Sequence, residues 1–448
     1  MNTIINANCL KICYPIFLLF FIQLYSSTLW AQSVGLDWVR NHDFMASAIV
    51  LDSDNLDVYK NTGLNVLLGW KHREIIYEYA SIYSIPWMIN AIRKRKVSDY
   101  TPQQIEALMN EDKNRASYFI NTYPGSEALL VWDEPKPNEM SYLNSAVQWA
   151  KQTHPSKLVY SNLNAYNVYS EIGYDYSDHV TDVINTGVDI ISVDAYPYFD
   201  DLTQTSRYIK DRYFATLESV RRRAVNAGIP YWLFVQSTDE NAYRLPSQSD
   251  LRMNLFTALA YGFTGIQYYL YWHPNSNNII ESNGNNNTIF NHYVTDAMSE
   301  VAYLGRTLKY LKSKNVWHIR SQSSNVLPWG TVEFTATQEH PVGRIAGIDI
   351  NNKGPSNNGL IGFFEDDYQH NYFMLVNTKR AKNTLAWDTR LDFTIYLGSS
   401  VKSLYKVNRD SGLVEEVPIV NGVASITILG GTGELFKIDS ASFVGASH

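Results

Sequence analysis

Cysteine is nearly absent from this chain: Cys9 and Cys13 are the only two, and both precede an apolar block at residues 16–24. A disulfide framework is thereby excluded for everything behind that block, which its core alone must hold together. Long apolar runs are lacking as well. The 16–24 block is too short to cross a bilayer and no other segment is long enough, so no membrane span is expected. Excess positive charge is also missing. With a formal net charge of −7, nothing in the balance points to nucleic acid. Histidines are few and scattered; His72 and His273 are too isolated to argue for a metal, and no cofactor is expected.

What the N-terminal stretch offers is a leader. Lys11 stands ahead of the apolar block, and Leu29-Trp30-Ala31 presents a small residue for cleavage. This is the pattern of a secretory signal peptide at 1–31, with Gln32 as the mature N-terminus. Neither cysteine has the context of a lipid-attachment residue, so the expected product is secreted or periplasmic. Its oligomeric state is not legible in the sequence. The 32 tyrosines and 11 tryptophans are the largest compositional surplus in the chain. Rings with a polar tip suit sugar faces, although large domains use the same rings in their cores.

Behind the leader, short apolar runs alternate with amphipathic segments, the pattern of βα units. Strands are expected at 46–51, 64–68, 85–89, at a run ending in Asp133, and at 158–160, 189–193, 231–235 and 265–270. Helices are clearest at 102–122, 141–153, 206–227 and 249–261, and a further helix at 290–312 would close the set. Eight such strands predict a (β/α)8 (TIM) barrel over residues 32–314. Beyond it the period changes to two, with strands at 372–376, 391–396, 403–407, 423–428 and 434–438 between turn residues. Residues 315–448 therefore read as a small all-β domain, a β-sandwich.

In such a barrel, residues at the C-terminal strand ends share one mouth. Strand four runs Leu129-Leu130-Val131-Trp132 and stops in Asp133-Glu134-Pro135. Asp194 ends strand six, and Glu240 lies just past strand seven. Hydrolysis of a glycosidic bond needs a carboxyl pair about 5 Å apart for retention, or about 6.5–9.5 Å apart for inversion. Asp133, Glu134, Asp194 and Glu240 are thus the candidate catalytic groups. Carboxylates also cap helices, and aspartate also forms turns, which is the plainer reading of each. Around them Trp70, Asn90, Asn162, Gln236, Tyr196, Tyr198, Tyr271 and Trp272 are expected to bind sugar. Lys71, His72 and Arg73 follow strand two, and Arg93 to Lys96 follow strand three. Guanidinium groups pair with sulfate or carboxylate, so His72, Arg73, Arg93 and Arg95 suggest an anionic polysaccharide. A solvated charge run is the alternative.

The Trp132-Asp133-Glu134-Pro135 stretch resembles the Asn-Glu-Pro motif that ends strand four in clan A glycoside hydrolases. Residues 252–272, with Ala258-Leu259-Ala260-Tyr261-Gly262, are similar to barrel glycosidases of polysaccharide-degrading bacteria, among which a C-terminal β-sandwich is common. The resemblance implies a glycosidase acting on a polysaccharide or oligosaccharide, endo-acting and retaining, with Glu134 as acid/base and Asp133 in place of the sugar-binding Asn. It departs at strand seven, where the clan has its nucleophilic Glu and this chain has Gln236. Asp194 is favoured over Glu240 as the second carboxylate. Three readings stay open beside it. One is a substrate-assisted hydrolase using Asp133-Glu134, one a carbohydrate-binding barrel without turnover, and one a polysaccharide lyase.

Overall fold

The computed structural model describes residues 33–166, 175–200, 204–240, 242–286, 288–335 and 344–446, the side chains of 204–210 excepted. The leader read at 1–31 lies outside the described residues.

Eight strands form a closed barrel: β1 (Met45–Val50), β2 (Val66–Gly69), β3 (Trp87–Asn90), β4 (Ser126–Asp133), β5 (Leu158–Leu163), β6 (Ile190–Asp194), β7 (Tyr231–Gln236) and β8 (Gly265–Tyr269). They pair in chain order, all parallel, and β8 returns to β1 through Met45–Gly265 and Ala46–Ile266. The barrel is filled by Leu68, Met88, Leu130, Tyr160, Trp232 and Phe234. Strands buried on both faces read as continuous apolar runs, which is why these segments were legible.

After a short lead helix α1 (Val34–Asn41), the helices between and behind the strands are α2 (Glu74–Ile82), α3 (Pro102–Thr122), α4 (Met140–Thr153), α5 (Tyr176–Asn185), α6 (Gln204–Ala227), α7 (Gln248–Tyr261) and α8 (Ile289–Leu308). The start of α3 follows from its sequence. Thr101 caps it, Pro102 occupies the first turn where no N–H is needed, and Gln104 returns a bond to the Thr101 N–H. Where helix was expected to run on to Lys312, α8 ends at Leu308 and a strand begins.

That strand, β9 (Lys312–Arg320), opens an antiparallel sandwich with β10 (Ile345–Ile350), β11 (Asn358–Glu365), β12 (Asn371–Asn377), β13 (Leu391–Leu397), β14 (Leu404–Val407), β15 (Val414–Val417), β16 (Val423–Ile428) and β17 (Gly433–Ile438). The expected boundary at 314/315 falls inside β9. One sheet has the order β15-β14-β17-β12-β11-β9 and the other β10-β13-β16. Ile361, Phe373, Phe393, Ile395 and Phe436 form the core between them. The outer face of the six-stranded sheet lies on α7. A Cβ at Gly362 would stand 2.1 Å from the Ala260 carbonyl oxygen, so only glycine permits that approach. Covered by barrel on one side and sheet on the other, α7 is buried from Ser249 to Tyr261.

Charges follow the same seam. Arg252 of α7 donates to Thr432 Oγ1 at 2.7 Å and pairs with Glu300 of α8. Arg409 of the sandwich pairs with that same Glu300 and, at 2.9 Å, with Glu434 of β17.

Candidate active site

The end of β4 breaks the pleat twice. Leu130 is level with Tyr160 on β5, but Trp132 is level with Ser161, so β4 carries one extra residue. This bulge turns Trp132 outward, where it stacks on Tyr142 and its indole N–H donates to Glu139 at 3.3 Å. Asp133 consequently faces inward, beside Asn162. Glu134 follows with φ of 51° and donates its N–H to the Asn162 carbonyl at 2.8 Å. A non-glycine residue in this left-handed region costs about 1–3 kcal/mol. The effect is that two consecutive carboxylates, which an ordinary strand would send to opposite faces, reach the same lysine.

That lysine is Lys94, on the loop after β3. Its ammonium lies 3.2 Å from Asp133 and pairs directly with Glu134. Burial alone would pull the ammonium down, but Asp133 and Glu134 hold it charged, above the ordinary lysine value. On the other side, the Asn162 amide nitrogen donates to Asp133 at 3.0 Å and stands 3.5 Å from Asp194. Ser192 fixes that amide by donating to its oxygen at 2.9 Å. Glu134, Lys94, Asp133, Asn162 and Asp194 thus form one connected chain across the mouth. Burial, then the Glu134 charge, pushes the Asp133 carboxyl up to about 6. Burial, then Glu134 and Asp133, raises Asp194 well above the carboxylate range.

A hollow of about 330 Å³ opens over these groups. Trp70, Tyr196, Tyr243 and Tyr269 line it, with Phe234 and Ile49 at the barrel end. Tyr196 stacks on Tyr269 with centroids 5.5 Å apart and meets Tyr243 edge-on at 5.6 Å. Glu240 reaches the same wall by accepting from the Tyr269 hydroxyl at 2.9 Å. Among the described residues no group of His, Cys, Asp and Glu could hold a metal ion.

The structure thus brings together Asp133, Glu134, Asp194, Trp70, Asn162 and Tyr196, with Glu240 against the wall. Other expected binding residues turn out to be scaffolding. Gln236 is fully enclosed, and its amide bonds the Tyr198 N–H and carbonyl and the Arg244 carbonyl at 3.0, 2.8 and 2.8 Å. Tyr198 is buried and donates to the Asp250 carbonyl at 2.6 Å. Tyr271 turns away from the mouth, packing on Tyr59 and donating to the Asn55 carbonyl at 2.7 Å. Trp272 spends its N–H on the Glu281 carbonyl at 3.0 Å. His72 is buried, with Nε2 2.9 Å from the Asn90 carbonyl oxygen, and Asn90 itself is buried.

The arginines are engaged too. Arg73 pairs with Asp52. Arg93 and Arg95 each grip the fully buried Asp112 at 2.6 Å, and Arg93 also meets Glu111 at 3.1 Å. A buried carboxylate needs such partners, and this one takes the guanidinium groups that the sequence offered to substrate. Missed in turn were Lys94, Tyr243 and Tyr269. Lys94 was legible only as one of four charges in a run, and Tyr243 lies in a loop without periodicity.

No protein-family model matches the chain, and no curated protein does. Solved structures do. A family 39 glycoside hydrolase from Bacteroides cellulosilyticus is similar over 90% of this chain and 82% of its own, at 10% identity and a TM-score of 0.49. Xylanase 10B from Thermotoga maritima covers 60% of this chain with 98% of its own, at 12% identity and 0.39. A family 5 mannosidase from Rhizomucor miehei covers 57% with 88% of its own, at 11% identity and 0.40.

Proposed function

We propose that the barrel hydrolyses a glycosidic bond in a polysaccharide. The observation that carries this reading is the convergence of Asp133, Glu134 and Asp194 on one aromatic-walled hollow at the strand ends. A sugar ring on the Tyr196 and Tyr269 side would place its glycosidic oxygen over Glu134. The proton that burial keeps on Asp194 must pass to Glu134 as substrate enters and Lys94 turns to Asp133. Glu134 then protonates the departing oxygen, and the leaving sugar departs as an alcohol. The Asp194 carboxylate so freed attacks the anomeric carbon in a retaining reaction. Asp133 fixes both neighbours through Lys94 and Asn162. Export through the leader read at 1–31 would suit a polymer too large to enter a cell.

A second reading is favoured by one observation, the sealing of Gln236 at the position where a strand-seven nucleophile would stand. The acetamido oxygen of an N-acetylated sugar then attacks in place of a protein carboxylate, and Asp133 orients it. The deciding experiment incubates the enzyme with neutral, anionic and N-acetylated polysaccharides and assays new reducing ends. Glu134→Gln should lower turnover by about 10²–10⁴-fold while sugar binding persists. Asp194→Asn should be equally damaging in the retaining reading and mild in the acetamido one. Binding without any product from the wild type would sink both readings and leave a non-catalytic sugar binder.

A further inference from the structure

The mouth has a second hollow, of about 340 Å³, that shares Lys94, Asp133 and Glu134 with the first. Glu134 therefore sits on the ridge between two compartments. Apart from the shared groups they differ in chemistry. The first offers tyrosine rings, Trp70 and the carboxyl of Asp194. The second is walled by Arg95, Lys96 and Lys136, with Glu139 as its one further acid. Glu139 is occupied by two neutral donors, the Trp132 indole and the Lys136 N–H, at 3.3 and 3.2 Å. Arg95 is held by Asp112. Among the described residues Lys96 meets only the exposed Asp99, at 3.2 Å with the two side chains 72% and 53% exposed. Lys136 has no ion pair among the described residues. Two ammonium groups, on the loops after β3 and after β4, are thus available to a ligand in that compartment.

Resting on the hydrolase reading of the same cleft, we propose that the second hollow is a subsite for an anionic sugar, one carrying a carboxylate or a sulfate ester. The bond over Glu134 then joins a ring held by the tyrosine wall to an acidic residue held by Lys96 and Lys136. An ammonium is a point charge with rotatable donors, so it accepts either oxyanion without the planar match a guanidinium demands. Lys94 offsets only one of the two charges of Asp133 and Glu134, so it adds nothing to this preference. The anionic group must lie on the Lys96 and Lys136 side of the hollow, away from those carboxylates.

Binding tests the subsite without recourse to turnover. The probes are glucuronate, galacturonate and galactose 6-sulfate, with glucose and galactose as neutral counterparts, titrated against the full chain by ligand-observed NMR. At least one anionic probe should bind tenfold or more tighter than its neutral counterpart, and the two uronates against the sulfate ester tell which oxyanion is preferred. That advantage should shrink as salt rises from 50 to 500 mM, because these charges face solvent. Lys96→Ala with Lys136→Ala should abolish it. Lys71→Ala, a lysine on the neighbouring loop after β2, should leave it within twofold. Equal binding of charged and neutral probes overturns the subsite, as does no binding of any anionic probe or a preference that survives the double substitution. Loss of turnover in Glu134→Gln is scored separately, so the subsite and the hydrolase reading can fail independently.

Discussion

At the scale of single residues, the acid pair was legible and its orientation was not. An alternating strand read from Leu130 sends Trp132 and Glu134 inward and Asp133 outward. The bulge at 130–132 inverts this for the first two, and the positive φ at Glu134 brings that residue back to its neighbour's side. Neither device has a local sequence signature, because the extra residue is forced by how β4 seats against β5. Burial then makes Asp133 a pH-sensitive element. Its carboxyl titrates at about 6 in the folded protein against an ordinary 3.8. Between those values the native state holds more proton than the unfolded chain, so stability is fully present below pH 3.8 and is lost as pH rises through 6. Asp194 is displaced in the same direction. Asp133→Asn should therefore gain stability relative to wild type on moving from pH 4 to pH 7. The gain is on the order of 1–3 kcal/mol, reduced by what Lys94 loses as its partner. Thermal unfolding of both proteins at the two pH values is the check, and a difference that stays constant would contradict the assignment.

At the scale of elements, the strand ends were legible because the barrel rule places them, whereas loops folding back over the mouth were not. Gln236 shows the difference. It ends β7 as expected, yet its amide serves the loops after β6 and β7, which also meet through Arg244 N–H to the Tyr198 carbonyl at 3.3 Å and a bridge between Phe199 and Tyr243. The clamp sets Tyr196 and Tyr243, which form two sides of the aromatic wall. Gln236→Ala would strand several buried backbone groups, each at about 1–3 kcal/mol. The expected result is a lower melting temperature together with a weaker sugar affinity. Gln236→Glu would place at this strand end the residue type that the clan A glycosidases resembled by the strand-four motif carry there. It should nevertheless give no gain in turnover, since the side chain is enclosed and its charge would face two carbonyl oxygens. A rise in reducing-end release by that variant would show that Gln236 does reach substrate.

At the scale of the whole molecule, the sandwich is a structural partner of the barrel and not an appended module. Its period-two strands were legible where one face is wet, as in β13 and β16. Burial on both sides did not hide β12 and β17, which were expected at 372–376 and 434–438, whereas β9, β10, β11 and β15 were not expected, although β10 alternates. The same double burial explains why α7 could be found as a helix without its second partner being evident. The sandwich also reaches the scaffold behind the mouth. Arg380 lies 3.0 Å from the fully buried Asp250, whose other oxygen meets Arg244 at 2.7 Å. Both guanidinium groups flank the Tyr198 ring, at 4.8 and 5.1 Å from its centroid. Removing the sandwich would uncover α7 and leave Glu300 and Asp250 each with one arginine fewer. Taking one partner from a buried ion pair costs about 3–5 kcal/mol, and uncovering Leu251, Leu255, Phe256, Leu259 and the other apolar residues of a helix buried all round adds an aggregation-prone face. A chain of residues 33–311 should therefore be insoluble or should bind hydrophobic dye without a cooperative melt. The milder Arg380→Ala should stay folded, with a lowered melting temperature and reduced sugar affinity, and Arg380→Lys should recover part of both. A soluble 33–311 chain that melts cooperatively and binds sugar like the full protein would show that barrel and sandwich stand independently, and that the Arg380 contact does not govern the mouth.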